Sequence, residues 1–154
     1  MTDRRQVLIA IATIALVIAV GVVQVMAGRD ADDLFHRAEQ LYADQRYDDT
    51  LTALRSFPRG NALAAEADVL AGKTCFRLKR FAEAETYFRR AEGKDPGSSR
   101  IRMNLALSLY NQGRYDEAAT GYSEVMKRAG TADPDLAERA SIALRAAEGK
   151  RSAN

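Results

Sequence analysis

The sequence contains no tryptophan, one cysteine (Cys75), one histidine (His36) and three prolines among 154 residues. A single cysteine excludes an internal disulfide, so stability has to come from packing. A single histidine excludes a histidine-based metal cluster within one chain. No Gly-rich phosphate loop occurs, and Cys75 has no neighbouring base in sequence to activate it. The composition therefore points away from an enzyme, with no catalytic residue, no metal ligand and no cofactor expected. Charge of one sign is also lacking. Lys+Arg number 23 and Asp+Glu 21, for a net +2, and no long run of one sign exists, which argues against nucleic acid as the main partner. The nearest thing to a basic tail, Arg145, Lys150 and Arg151, is interrupted by Glu148. The scarcity of proline and the abundance of alanine, leucine, glutamate and arginine favour helices over strands. The Ala/Arg/Asp-rich composition hints at a bacterial source.

What is present is uneven. Residues 7–26 carry no charge. At about 1.5 Å per helical residue they extend about 30 Å, the thickness of a bilayer's hydrocarbon core. The expectation is an N-terminal transmembrane helix within a membrane segment 1–28. Arg4 and Arg5 precede it, whereas Arg29, Asp30, Asp32 and Asp33 come after it. The excess of positive charge before the span places the N-terminus in the cytoplasm and residues 29–154 outside, which in a bacterium is the periplasm. A cleaved secretory signal ending at Val25-Met26-Ala27 and a buried core helix are competing readings. Ala15 and Ala19 form a small-xxx-small pair that could bring two such helices together. Only Ala27 to about Asp30 separates the span from the remaining chain, which is expected close against the membrane.

Beyond the span the chain repeats. Residues 43–50 (ADQRYDDT), 77–84 (RLKRFAEA) and 111–118 (NQGRYDEA) align without gaps. The aromatic recurs at Tyr47, Phe81 and Tyr115, and the preceding arginine at Arg46, Arg80 and Arg114, in equal steps along the chain. Leu105, Leu109, Ala118, Tyr122 and Val125 follow helical spacing. Asp95-Pro96-Gly97 breaks a helix, and Gly113 stands where a tight turn is needed. Asp133-Pro134 reads as an N-cap followed by a first-turn proline, beginning a further helix to about Glu148.

On these residues the chain resembles the tetratricopeptide repeat (TPR) family over about residues 31–148: pairs of antiparallel helices stacked with a period of about 34 residues. The family's close-packing small site matches Ala38, Gly72 and Ala106, and its bulky site one turn later Leu41, Cys75 and Leu109. In the second helix the small site matches Thr50, Ala84 and Ala118, and the large site Leu54, Phe88 and Tyr122. The next small site holds Phe57, Ala91 and Val125. The resemblance implies an all-α solenoid of three repeats (31–64, 65–98 and 99–132), a capping helix over 133–148 and a flexible tail over 149–154. There are departures. The family's frequent tryptophan site holds Leu34, Asp68 and Arg102. Repeat one has Arg37 at an apolar site, Phe57 at a small one, and Pro58 ending its second helix early. Pro58, Pro96 and Pro134 are also evenly spaced, but at a longer interval, out of step with the aromatic register.

Stacked helix pairs curve and create a concave face, which in this family is lined by the first helix of each pair. The matching residues are Phe35 and Glu39 in repeat one, Val69, Leu70, Lys73, Phe76 and Arg77 in repeat two, and Arg100, Met103, Asn104, Leu107 and Tyr110 in repeat three. Sites that would form a lysine/asparagine clamp for a peptide C-terminus hold Phe35, Glu39, Leu70, Arg100 and Asn104, and only the last two suit it. The pattern implies an apolar groove with charged edges, fit for an amphipathic helix or an extended apolar peptide. The function expected is a non-catalytic, membrane-anchored adaptor for protein partners near the membrane surface, helping to assemble or stabilise a periplasmic or membrane complex. A self-associating scaffold and a soluble secreted chaperone are the alternatives.

Overall fold

A computed structural model describes residues 4–130 and 132–152, and only the backbone of residues 4–10 and 21–29. Among the described residues the chain is entirely helical outside its turns. The helices are α1 (Arg4–Ala43), α2 (Tyr47–Arg55), α3 (Ala64–Arg77), α4 (Phe81–Lys94), α5 (Ser99–Asn111), α6 (Tyr115–Ala129) and α7 (Pro134–Ser152). Each packs on its neighbours in sequence, which is the layout of a solenoid. Even-numbered helices α2, α4 and α6 start at the three register aromatics, so the period of the sequence is a period of structure.

The three turns that join the helices of a pair are built alike. Arg46 N–H donates to Leu41 O (2.9 Å) and Gln45 N–H to Tyr42 O (3.0 Å). The same bonds recur from Arg80 to Cys75 (2.9 Å) and Lys79 to Phe76 (3.0 Å), and from Arg114 to Leu109 (3.1 Å) and Gly113 to Tyr110 (3.0 Å). Paired 6→1 and 5→2 bonds define a Schellman motif, whose penultimate residue must be left-handed. That residue is Gln45 (φ 61°), Lys79 (φ 58°) and Gly113 (φ 79°). Only repeat three places glycine there, so the other two carry strain. Lys79→Gly is therefore expected to raise the unfolding free energy by about 0.5–1 kcal/mol, read in urea denaturation as a higher midpoint at unchanged slope. A lower midpoint would refute the assignment of strain.

The recurring arginine follows from the same turn. Its carbonyl accepts the first bond of the next helix, from Thr50, Ala84 or Ala118. Its guanidinium reaches the acid three residues on, at Asp49 (2.8 Å), Glu83 (2.6 Å) or Glu117 (2.6 Å). Those acids sit in the first turn, where the helix dipole favours them. The register aromatic packs on an aromatic of the preceding helix, as Tyr42–Tyr47, Phe76–Phe81 and Tyr110–Tyr115, with centroids 5.1–5.6 Å apart.

Between the helices of a pair, small residues meet large ones. Ala38, Ala84, Ala106 and Ala118 are buried in one core with Phe88, Tyr122 and Val125. A methyl at Gly72 would stand 2.6 Å from the Phe88 ring, and one at Gly121 would stand 2.8 Å from Ala106 Cβ. Both glycines are therefore contacts between helices. Cys75 is fully buried at its packing site, and burial pushes its thiol up to about 11.

Several expectations need correction. The interval Ala27 to about Asp30 does not separate two bodies, because α1 is one helix through it. No proline interrupts the backbone hydrogen bonds there, and propagation costs less than a new nucleus. The tail expected to be flexible from residue 149 is helical to Ser152. Ala153 and Asn154 lie outside the described residues. The capping helix itself starts as expected, with Leu136 N–H donating to Asp133 Oδ1 at 3.1 Å and Pro134 in the first turn. Pro58 does end α2 early, at Arg55, and Phe57 is buried edge-on against Phe35, with centroids 6.2 Å apart. Arg37 escapes its nominally apolar site by standing in solvent at the open end of the stack, the polar outer face that an end repeat requires.

The expected transmembrane segment 7–26 lies within α1, but the side chains of residues 7–10 and 21–26 lie outside the described ones. The side chains of the expected cleavage site Val25-Met26-Ala27 lie outside them too. Among the described residues, no helix is long and apolar enough to cross a membrane.

Candidate protein-binding groove

The odd-numbered helices α1, α3, α5 and α7 lie side by side along the concave face, because every pair turns in the same sense. Between them runs a groove in two joined parts. The first, about 380 Å³, is bounded by Phe35 and Glu39 of α1, Glu66, Val69, Leu70 and Lys73 of α3, and Arg100, Ile101 and Asn104 of α5. The second, about 390 Å³, continues past Lys73, Arg100 and Asn104 to Met103 and to Asp133, Asp135, Leu136 and Arg139 at the start of α7. Lys73, Arg100 and Asn104 belong to both and mark the junction.

The groove has an apolar floor and a charged rim. Leu70 and Met103 are 8 % and 9 % exposed, and Ile101 is 5 % exposed, so all three are part of the core and offer only an edge to the groove. Val69 and Phe35 are half-buried, and Glu39, Glu66, Lys73 and Arg100 stand in solvent. Glu39 faces His36 at 3.2 Å and Arg100 faces Asp133 at 4.0 Å, both loose contacts on the surface. Along its length the rim runs from acidic (Glu39, Glu66) through cationic (Lys73, Arg100) to mixed (Asp133, Asp135, Arg139).

Of the twelve expected groove residues, eight line it: Phe35, Glu39, Val69, Leu70, Lys73, Arg100, Met103 and Asn104. The other four do not. Phe76 and Tyr110 are drawn onto the register aromatics Phe81 and Tyr115 across their turns. Arg77 Nε donates to Tyr42 Oη at 3.4 Å, bridging repeats one and two. Leu107 is half-buried but lies off both parts of the groove. Asp133, Asp135 and Arg139 were not expected in it, because α7 reads from the sequence as a cap alone. The signal was available, since α7 occupies the first-helix position of a fourth unit.

The charged residues at the tryptophan site hold the stack together behind the groove. Asp68, 4 % exposed, binds Arg90 and Lys94, each at 2.8 Å. Arg102 bridges Glu92 of repeat two (2.6 Å) and Glu124 of repeat three. A second link between these repeats centres on Glu85, which accepts from Gln112 (2.9 Å), Arg89 (2.9 Å) and Arg114 (2.7 Å). Burial alone pushes the Glu85 carboxyl up, but these three donors outweigh it and hold the group below the usual carboxylate range. A carboxyl depressed by folding stabilises the folded state above its unfolded pKa of about 4.3, and this is lost as pH falls through the folded value. Wild-type stability should therefore fall as pH drops from about 5 to 3. Glu85→Gln should flatten that limb in thermal melts. An identical acid limb in the variant would show that Glu85 plays no part.

Comparison with known proteins accords with the geometry. A family model described as Tetratricopeptide repeat matches residues 35–99 and 80–137. No curated protein matches the chain in sequence. Among solved structures, PcrH of Pseudomonas aeruginosa in complex with the chaperone binding region of PopD is similar at TM-score 0.71 and 19 % identity, over 78 % of this chain and 92 % of that one. The Yersinia enterocolitica type III secretion chaperone SycD, with a peptide of the translocator YopD, is similar at TM-score 0.71 and 17 % identity, over 78 % and 93 %. The first TPR of Spaghetti (RPAP3), bound to the HSP90 peptide SRMEEVD, is similar at TM-score 0.71 and 18 % identity, over 81 % and 95 %. At these identities the likeness is one of fold.

Proposed function

Since the chain belongs to the tetratricopeptide repeat family, we propose that it is a non-catalytic adaptor that holds a peptide segment of a partner protein in its concave groove. The observation that carries this reading is the continuous groove from Phe35 to Arg139, with an apolar floor and a charged rim. An extended segment buries alternate side chains on such a floor and satisfies its charges at the rim. The solved neighbours support it, as three of them hold a peptide or binding region of another protein. The groove comprises the eight residues above with Asp133, Asp135 and Arg139, carried by a repeat domain over residues 31–148.

The adaptor is anchored in a membrane by residues 7–26, with the repeats on the periplasmic side. Ile11, Ile14, Leu16, Val17 and Ile18 are each 58–70 % exposed. Their spacing along the helix distributes them around its whole circumference, so no single partner face accounts for them. A helix apolar all round belongs in lipid or in a large core. Because α1 is unbroken, the anchor leads directly into repeat one and sets the groove close to the bilayer. Partners are then membrane or exported proteins met at that surface, and the process served is assembly or stabilisation of a complex. Alkaline carbonate washing should leave the full-length chain in the membrane fraction. Release of a species lacking residues 1–27 would instead identify a soluble secreted chaperone.

The groove is tested by a photoactivatable amino acid at Val69, with Thr120 on α6 as a control position. Adducts to a discrete partner are expected at Val69 and absent at 120. Adducts of equal yield at both positions, or dimers of this chain alone, would overturn the adaptor reading, and the second would establish the self-associating scaffold.

A further inference from the structure

A second cavity lies outside the groove, where α2 ends, α3 begins and α4 ends. It is about 90 Å³ and is walled by Leu54, Phe57, Ala64, Ala67 and Ala71 on its apolar sides. Its polar sides are Arg55, Arg59, Arg90 and Lys94, with Asp68 as the one acid. Arg90 is bound to Asp68 Oδ1 and Lys94 to Asp68 Oδ2. Lys94 also donates to Ala64 O at 2.9 Å, and the Arg90 guanidinium lies over the Tyr87 ring at 5.3 Å. These two cations are thus held in place by a buried carboxylate and an aromatic face. Arg55 and Arg59 form no ion pair among the described residues. The walls carry four positive charges against one negative, an imbalance that favours an anion.

We propose that this cavity binds the phosphate group of a small ligand or lipid headgroup. The volume suits a single small group and not a whole drug-sized molecule: 90 Å³ is well below the roughly 300 Å³ at which drug-sized pockets begin. Guanidinium groups supply forked donors that match a tetrahedral oxyanion, and Lys94 supplies a point charge. Two sources of phosphate are open, a free anion and a lipid. The lipid source rests on the membrane anchor proposed above, while the site itself does not. Phe57 packs on Phe35, two and a half turns beyond Met26, so the cavity stands roughly 14 Å along α1 from the end of the apolar segment. The headgroup layer extends about 5–7 Å from the hydrocarbon edge, so lipid phosphates lie on the membrane side of the cavity, about 7–9 Å short of it along α1.

The test uses the full-length protein in a neutral detergent, titrated calorimetrically with inorganic phosphate at constant ionic strength. The double variant Arg55→Gln/Arg59→Gln should bind phosphate at least tenfold more weakly, with unchanged helicity by circular dichroism. Lys127→Gln/Lys150→Gln, which removes the same charge elsewhere, should change affinity less than twofold. No phosphate binding by the wild type, or equal loss in both double variants, would overturn the proposal. Competition by dihexanoyl phosphatidate below its micelle concentration assigns the source. Displacement of phosphate at lower concentration than phosphate itself identifies the headgroup, and failure to displace identifies the free anion.

Discussion

Phe88→Ala is expected to lower the unfolding free energy by about 3–5 kcal/mol, the usual range for deleting a buried phenyl ring. The ring is 1 % exposed at the centre of repeat two. A loss of that size is a large share of the roughly 5–15 kcal/mol typical of a domain. The informative experiment adds Gly72→Ala. In the wild type that methyl would meet the Phe88 ring at 2.6 Å, and overpacking of this kind costs about 1–3 kcal/mol. In the Phe88→Ala background the same methyl enters vacated space and should be neutral or stabilising. Repeat one carries one compatible pair, Ala38 with Leu54, at the corresponding positions, whereas repeat three fits Ala106 with Tyr122 where Gly121 leaves room beside Ala106. Gly72→Ala/Phe88→Leu should accordingly be more stable than Gly72→Ala alone. Additive losses in urea denaturation would show that the two residues do not share one contact.

Val69→Asp combined with Arg100→Glu should weaken partner capture at least thirtyfold, equivalent to about 2 kcal/mol, while leaving the helical spectrum unchanged. Val69 offers half-buried apolar surface at the middle of the groove, and an acid there would be desolvated by any apolar segment seated on it. Arg100 stands in solvent on the rim between the two parts of the groove, so reversing its charge disturbs the partner and not the core. Met103 is not a substitute for either position. At 9 % exposure it belongs to the core, and Met103→Asp would lose the fold together with the binding. Quantitative crosslinking from position 104 gives the readout. Undiminished yield with intact helicity would remove the groove as the binding site.

Much of the fold was legible because its determinants are local. A Schellman turn needs one left-handed residue and a few neighbours, and an antiparallel pair needs a small residue opposite a large one. Both recur once per repeat, so three weak signals add to one strong one. The groove was legible in part for the same reason. Helix phase alone places 35, 39, 69, 73, 100 and 104 on one face. Phase does not say how deep a residue sits, and so Leu70 and Met103 went into the core while Phe76 and Tyr110 turned towards the register aromatics. The tryptophan site shows the limit most clearly. Asp68 and Arg102 look like defects in sequence, yet each is ion-paired with residues of other helices. Asp68 takes Arg90 and Lys94 of α4, and Arg102 takes Glu92 of α4 and Glu124 of α6.

The sequence by itself determined the period, the three pair turns, the capped start of α7 and the small-to-large matching inside each pair. Each depends on backbone hydrogen bonding or on residues within one helical hairpin. Only the tertiary structure decided that α1 runs unbroken into repeat one, that α7 supplies the far rim of the groove, and that Arg55, Arg59, Arg90 and Lys94 converge around Asp68. The first reflects helix propagation winning over a new start, and the other two depend on the angle at which one hairpin stacks on the next. That angle is set by the summed packing of many side chains from three or four helices, and no single stretch of sequence carries it.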